Sequence, residues 1–230
     1  MGDLPNLPAS LGTPPIPKSF PKPQPNTIGF NRLISSLFVQ LPGDIQKFHQ
    51  LSDILKKDQE IKFKPTEHIK LIDCISDRIN PYQGRAYLAT DDKIYLCGNA
   101  IWKKFVDNDR KEVQTLLLHE LIHFYDKKVK NINFYNPSDL ACSEIRAYNI
   151  TNVCQGDKTC ILKKTMNSLR VAEASRFVND NEKLAILSKV GVDCMKDESP
   201  FKMDFLYETS RERQRKFLAE QEEKKRKGGK

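Results

Sequence analysis

Thr115-Leu116-Leu117-Leu118-His119-Glu120-Leu121-Ile122-His123-Phe124-Tyr125-Asp126 lies within a longer run, 109–128, that contains neither glycine nor proline. A run of that length without a breaker predicts a helix. Positions i and i+4 of a helix fall one turn apart on one face, so His119 and His123 can reach the same ion. Glu120 stands next to that face, where its carboxylate can accept a proton from a water activated by the ion. Leu116, Leu117, Leu118, Leu121 and Ile122 make the helix apolar on most sides, which predicts burial at the centre of a domain. Burial would hold the imidazoles rigid and keep bulk water away. His119 and His123 are therefore the candidate metal ligands, and Glu120 the candidate catalytic base.

Zinc, the expected cofactor, is held in hydrolytic sites by three protein ligands with a fourth position left open. The chain has four histidines and none follows His123. Asp126 and Val129 stand where the glycine and third histidine of H-E-x-x-H-x-x-G-x-x-H would be, so that continuation is excluded. His49 and His68, upstream, read as ordinary core or surface histidines. A downstream carboxylate is favoured, and Glu144, on a helix predicted at Leu140–Ile150 after the turn Pro137-Ser138-Asp139, is the expected third ligand. Asp139 and Asp126 are the weaker alternatives. Asp139 reads as a helix N-cap, and Asp126, one turn after His123, as a carboxylate that orients an imidazole from outside the ligand set. Tyr125, Arg146 and Tyr148 are each able to donate a hydrogen bond to a developing oxyanion.

Helical spacing of apolar residues recurs from about Asn26 to Lys57, interrupted near Pro42-Gly43, and residues 61–72 suit either strand or helix. Arg85–Ala89 and Lys93–Cys97, joined by Thr90-Asp91-Asp92, predict a β-hairpin. Lys93–Cys97 is read as a sheet edge, either an ordinary one or one along which an extended peptide pairs. Two further helices are expected at about Cys160–Asn179 and Glu182–Asp197. The fold class is therefore α+β: a mainly helical, zincin-like domain with a small hairpin or sheet beside the His119–His123 helix. The expected organisation is a Pro-rich disordered segment at 1–25, the catalytic domain at 26–207, and a basic charged tail at 208–230.

Eight of the thirteen prolines fall in the first 25 residues, too many for a segment that buries a core. This start shows no apolar signal-peptide core and no arginine before Arg32, which argues against an ordinary presequence. Asn6 stands where a myristoylation signal needs Ser or Thr. No apolar run approaches the roughly 18–20 residues that cross a bilayer. The net charge of +8 is largely a property of residues 211–230, which hold nine Lys or Arg against four Glu. That tail reads as a solvated extension, and nucleic acid is the disfavoured partner. The six cysteines (Cys74, Cys97, Cys142, Cys154, Cys160, Cys194) form no C-x-x-C pair, so they suit disulfides or buried thiols better than a structural zinc site.

Taken together, TLLLHELIHFYD (115–126), LACSEIRAYN (140–149), IYLCGN (94–99), the helix opened by Cys160, Val192-Asp193-Cys194 and Asp197–Phe201 resemble one family. It is that of the mitochondrial inner-membrane metalloproteases that mature ATP synthase subunit a and assist its assembly. The resemblance covers roughly residues 45–203. It implies a zinc peptidase of the intermembrane space, peripheral on the inner membrane, that cleaves protein substrates including the ATP synthase subunit a precursor. It also implies disulfides formed during oxidative import. The alternatives are a non-proteolytic ATP synthase assembly chaperone, and nucleic-acid binding through the basic tail.

Overall fold

The computed structural model describes residues 27–41, 44–72, 86–89, 91–98, 101, 109–172, 175 and 177–201. The expected Pro-rich segment and basic tail lie outside these residues. In chain order, α1 (Thr27–Leu37), α2 (Gln46–Lys57) and the single-turn α3 (Pro65–His68) lead into β1 (Ile69–Ile72). Next come β2 (Ala86–Leu88) and β3 (Ile94–Cys97), followed by α4 (Arg110–Lys128), α5 (Pro137–Thr151), α6 (Lys158–Val171) and α7 (Asp180–Lys196). The α+β expectation holds, with a small mixed sheet in a mainly helical chain.

The predicted hairpin forms: β2 and β3 are antiparallel, with Tyr87 opposite Tyr95 and their rings stacked at 5.4 Å. β1 adds to the other side of β3 in parallel, Ile69 opposite Ile94. The sheet order β1-β3-β2 makes β3 central, which corrects the reading of Lys93–Cys97 as an edge. Its composition explains the position, since Ile94, Leu96 and Cys97 are all buried. The described edge beside α4 is β2.

The helix boundaries follow from capping. α4 starts at Asp109, whose carboxylate accepts from the Glu112 N–H at 3.1 Å. α5 is capped by Asn136, which accepts from the Ser138 N–H at 2.9 Å, with Pro137 as the first helical residue. Asp139 is thus not the cap but lies in the first turn, where negative charge complements the helix dipole. α6 ends at Val171 and does not reach Asn179. Asn179 instead opens α7 in a reciprocal capping box with Glu182, both hydrogen bonds being 2.9 Å.

Two apolar cores share α5. The larger joins α1, α2, the sheet and α4, and takes Ala147 and Ile150 from α5. The smaller lies among α5, α6 and α7, with Ala141 and Ile145 facing it. Leu117, Leu118, Leu121 and Ile122 of α4 are at most 1% exposed, and each contributes about 2 kcal/mol of burial. Arg110, the first residue of α4, ties α1 to this core. Its guanidinium donates to the Ser36, Leu37 and Val39 carbonyls at 2.9, 3.2 and 2.6 Å and pairs with Asp44 at 2.8 Å. Cys142–Cys194 staples α5 to α7, Cys154–Cys160 closes the α5–α6 connection, and Cys97 is also disulfide-bonded.

Candidate metal centre

α4 and α5 pack against each other and bring three side chains together. His119 and His123 of α4 place their Nε2 atoms 3.1 Å apart. From α5, Glu144 sets Oε2 3.5 Å from His119 Nε2 and Oε1 3.5 Å from His123 Nε2. A tetrahedral ion with bonds of about 2.0–2.1 Å separates its ligand atoms by roughly 3.3 Å; the two nitrogens are close to that spacing, and one ligand atom from each of the three residues lies within 4.8 Å of the others. Glu144 Oε2 is also buried without a hydrogen-bond partner among the described residues. An orphaned buried carboxylate oxygen is costly unless something binds it. Two imidazoles and a carboxylate are the donor set of a hydrolytic zinc site, so the residues fit the ion.

Behind these three side chains stands a polar network. His123 Nδ1 lies 2.8 Å from Ser143 Oγ, and Ser143 donates to Asp126 Oδ2 at 2.7 Å. The other Asp126 oxygen pairs with Arg146, the largest fully buried side chain. Arg146 also pairs with Asp197 at 3.0 Å and donates to Ser199 Oγ at 3.1 Å and to the Ser199 carbonyl. Lys130 pairs with Asp197 from the end of α4. The segment after α7 is thereby clamped beneath the ligand-bearing helices. Phe134 meets the His123 ring edge-on at 5.8 Å.

The electrostatics are dominated by this crowding. Burial alone would raise the Glu144 carboxyl, but His123 and His119 beside it hold it well below the ordinary carboxylate range. Burial opposes a charged His123, yet Glu144, with lesser help from Glu120 and Asp126, moves it up to about 9. Glu120 is 5% exposed, and burial raises its carboxyl above the usual value. His119, His123 and the Leu88 N–H of β2 partly offset that rise. Tyr148 is pushed up to about 12 by burial and by Glu144.

The three oxyanion candidates part company. Arg146 is wholly buried, with its guanidinium engaged by Asp126, Asp197 and Ser199. Tyr125 belongs to the larger core. Tyr148 packs on His119 with ring centroids 4.7 Å apart, its hydroxyl 3.0 Å from Ser168 Oγ. Upstream, His49 pairs with Asp44 at 3.1 Å, and His68 engages the Lys64 backbone through Nδ1 at 3.0 Å. Ser143 was not anticipated. A serine inside a helix carries no local mark of burial, and only its adjacency to Glu144 pointed toward the site.

The sequence profile of the peptidase M76 family matches residues 45–202. Among curated proteins the chain is similar to the mitochondrial inner membrane protease ATP23 of Pyricularia oryzae, 27% identical over 47% of this chain and 43% of that protein. The protein of the same name from Debaryomyces hansenii is 26% identical over 59% and 63%, respectively. The mitochondrial inner membrane protease ATP23 homolog of Danio rerio is 27% identical over 49% and 47%. The chain thus spans about half the length of the curated relatives it matches. No solved structure matches it.

Proposed function

The chain belongs to the peptidase M76 family, and on that premise we propose that it is a zinc-dependent endopeptidase. The observation that carries the reading is the meeting of His119, His123 and Glu144 beside the buried carboxyl of Glu120. His119, His123 and Glu144 would hold the zinc. When bound, zinc supplies Lewis-acid polarisation of the scissile carbonyl and a more acidic water. Glu120 takes the proton of the attacking water and returns it to the leaving amine, a role served by a carboxyl raised by burial. Tyr148, protonated throughout the neutral range, is the oxyanion donor.

The names of the relatives support action at the mitochondrial inner membrane. We place the chain on the intermembrane-space side, peripherally attached, with protein substrates that include the ATP synthase subunit a precursor. No helix among the described residues is long and apolar enough to cross a membrane. The test is zinc analysis and peptide cleavage by the wild type, Glu120→Gln and His123→Ala. Glu120→Gln is expected to retain stoichiometric zinc and lose about 10²–10⁴-fold in cleavage rate, whereas His123→Ala loses the zinc. Equal zinc in the wild type and His123→Ala would overturn the site. Cleavage lost in Glu120→Gln with ATP synthase assembly retained would favour the non-proteolytic chaperone reading.

A further inference from the structure

The direction of the hydrogen bonds behind His123 can be worked out from donor counting. Asp126 takes Arg146 on one carboxylate oxygen and the Ser143 hydroxyl on the other, accepting from both. The contact of 2.7 Å between Ser143 Oγ and Asp126 Oδ2 therefore uses the single hydroxyl proton of Ser143. With that proton committed, Ser143 Oγ faces His123 Nδ1 at 2.8 Å as an acceptor. Nδ1 must carry a proton, so in the neutral form that could bind an ion the lone pair lies on Nε2. Nε2 is the atom turned toward Glu144 and His119, at 3.5 and 3.1 Å.

The geometry points to Ser143 as a positioning residue that relays the Arg146–Asp126 ion pair to His123 and sets its metal-binding tautomer. Ser143 and Asp126 are both fully buried, so water does not compete for either hydrogen bond. The ion pair gives the relay its polarity. Arg146 donates to the other Asp126 oxygen, so this carboxyl accepts on both sides and Ser143 is a donor toward it and an acceptor toward His123. The serine also sits on α5 immediately before Glu144, so one helix supplies a ligand and the group that orients a second ligand.

The inference rests on the metallopeptidase reading, and the experiment separates the two. The full chain is loaded with zinc, labelled at histidine with 15N, and examined by long-range proton–nitrogen NMR. Zinc affinity is measured by chelator competition for the wild type and Ser143→Ala, with melting temperatures recorded alongside. The wild type is expected to show a proton on His123 Nδ1 and zinc on Nε2. Ser143→Ala is expected to weaken zinc binding by roughly 10–100-fold, the usual cost of losing an outer partner of a ligand, and to lose the protected Nδ1 proton signal. An unchanged affinity in a folded Ser143→Ala would overturn the relay and leave the metal site standing. Should Ser143→Ala fail to fold, the wild-type spectrum decides: a proton on Nε2 with Nδ1 bare overturns the relay. A wild type that takes up no zinc would overturn both readings.

Discussion

Arg146→Met removes the centre of the buried network while keeping most of the side-chain volume. Arg146 and Asp126 are both 0% exposed, so the substitution leaves the Asp126 carboxylate in the interior with the Ser143 hydroxyl as its one side-chain partner among the described residues. Asp197 keeps Lys130, and its loss is smaller. Removing one partner of a buried pair costs about 3–5 kcal/mol, a third or more of the stability of many domains. In a domain of this size that lowers the melting temperature by roughly 6–20 °C. Arg146→Lys keeps a charge but not the planar fork that reaches Asp126, Asp197 and Ser199 together, so its cost is intermediate. The sharpest check is a cycle with Asp126→Asn, followed by urea denaturation. In the wild-type background Asp126→Asn destabilises, because it leaves the buried Arg146 charge with Asp197 as its one remaining carboxylate among the described residues. In the Arg146→Met background it removes an unpaired buried charge and should restore about 1–3 kcal/mol. If Asp126→Asn destabilised both backgrounds alike, or if Arg146→Met cost under about 1 kcal/mol, the assignment of this pair as a buried strut would be wrong.

Asp44 offers a pH-dependent counterpart. The Arg110 hydrogen bond holds its carboxyl well below the usual range against the opposing effect of burial, with Leu41, Gln114 and His49 assisting. A carboxyl depressed on folding stabilises the protein above its unfolded value of about 4, and the contribution fades as pH falls below it. Asp44→Asn is therefore expected to cost about 2–3 kcal/mol at pH 7, with the gap to wild type narrowing in denaturation curves taken progressively below pH 4. The disulfides rank by loop length. Replacing Cys142 and Cys194 opens a sequence separation of 52, worth about 4 kcal/mol of chain entropy. Replacing Cys154 and Cys160, separated by 6, releases about 2 kcal/mol. Urea titrations of the two double variants giving the reverse order would contradict the entropic account.

The α4 helix was legible because its signals are local: a run without breakers, two histidines one turn apart and apolar residues all round. The hairpin was legible for the same reason. Glu144 was reached by elimination, since the histidines run out at His123, and α5 does bring its carboxylate to the pair. What was missed depends on distant partners. Ile69–Ile72 is too short for periodicity to choose between helix and strand, and its parallel pairing makes β3 central. Asn179-x-x-Glu182 is a local capping signature, but it was overridden by reading helix through Asn179. Arg146 looked available because arginine is usually exposed. Its burial becomes visible only once Asp126 and the segment carrying Asp197 and Ser199 converge on it from two distant parts of the chain.

The placement of the three proposed ligands on neighbouring helices also bears on the order of assembly. His119, His123 and Glu144 lie within 26 consecutive residues, so bringing them together closes only a short loop and forfeits little chain entropy. Arg146 meets Ser199 across 53 positions, and Arg110 reaches the carbonyls of α1 across 71–74. Contacts between residues near in sequence form faster than those that close long loops. The α4–α5 pair is thus the natural nucleus, able to present a nascent ion site before the carboxy-terminal clamp and the α1 brace have closed. An ion arriving early would select that nucleus from the unfolded ensemble, acting as a template for the chain as well as its cofactor.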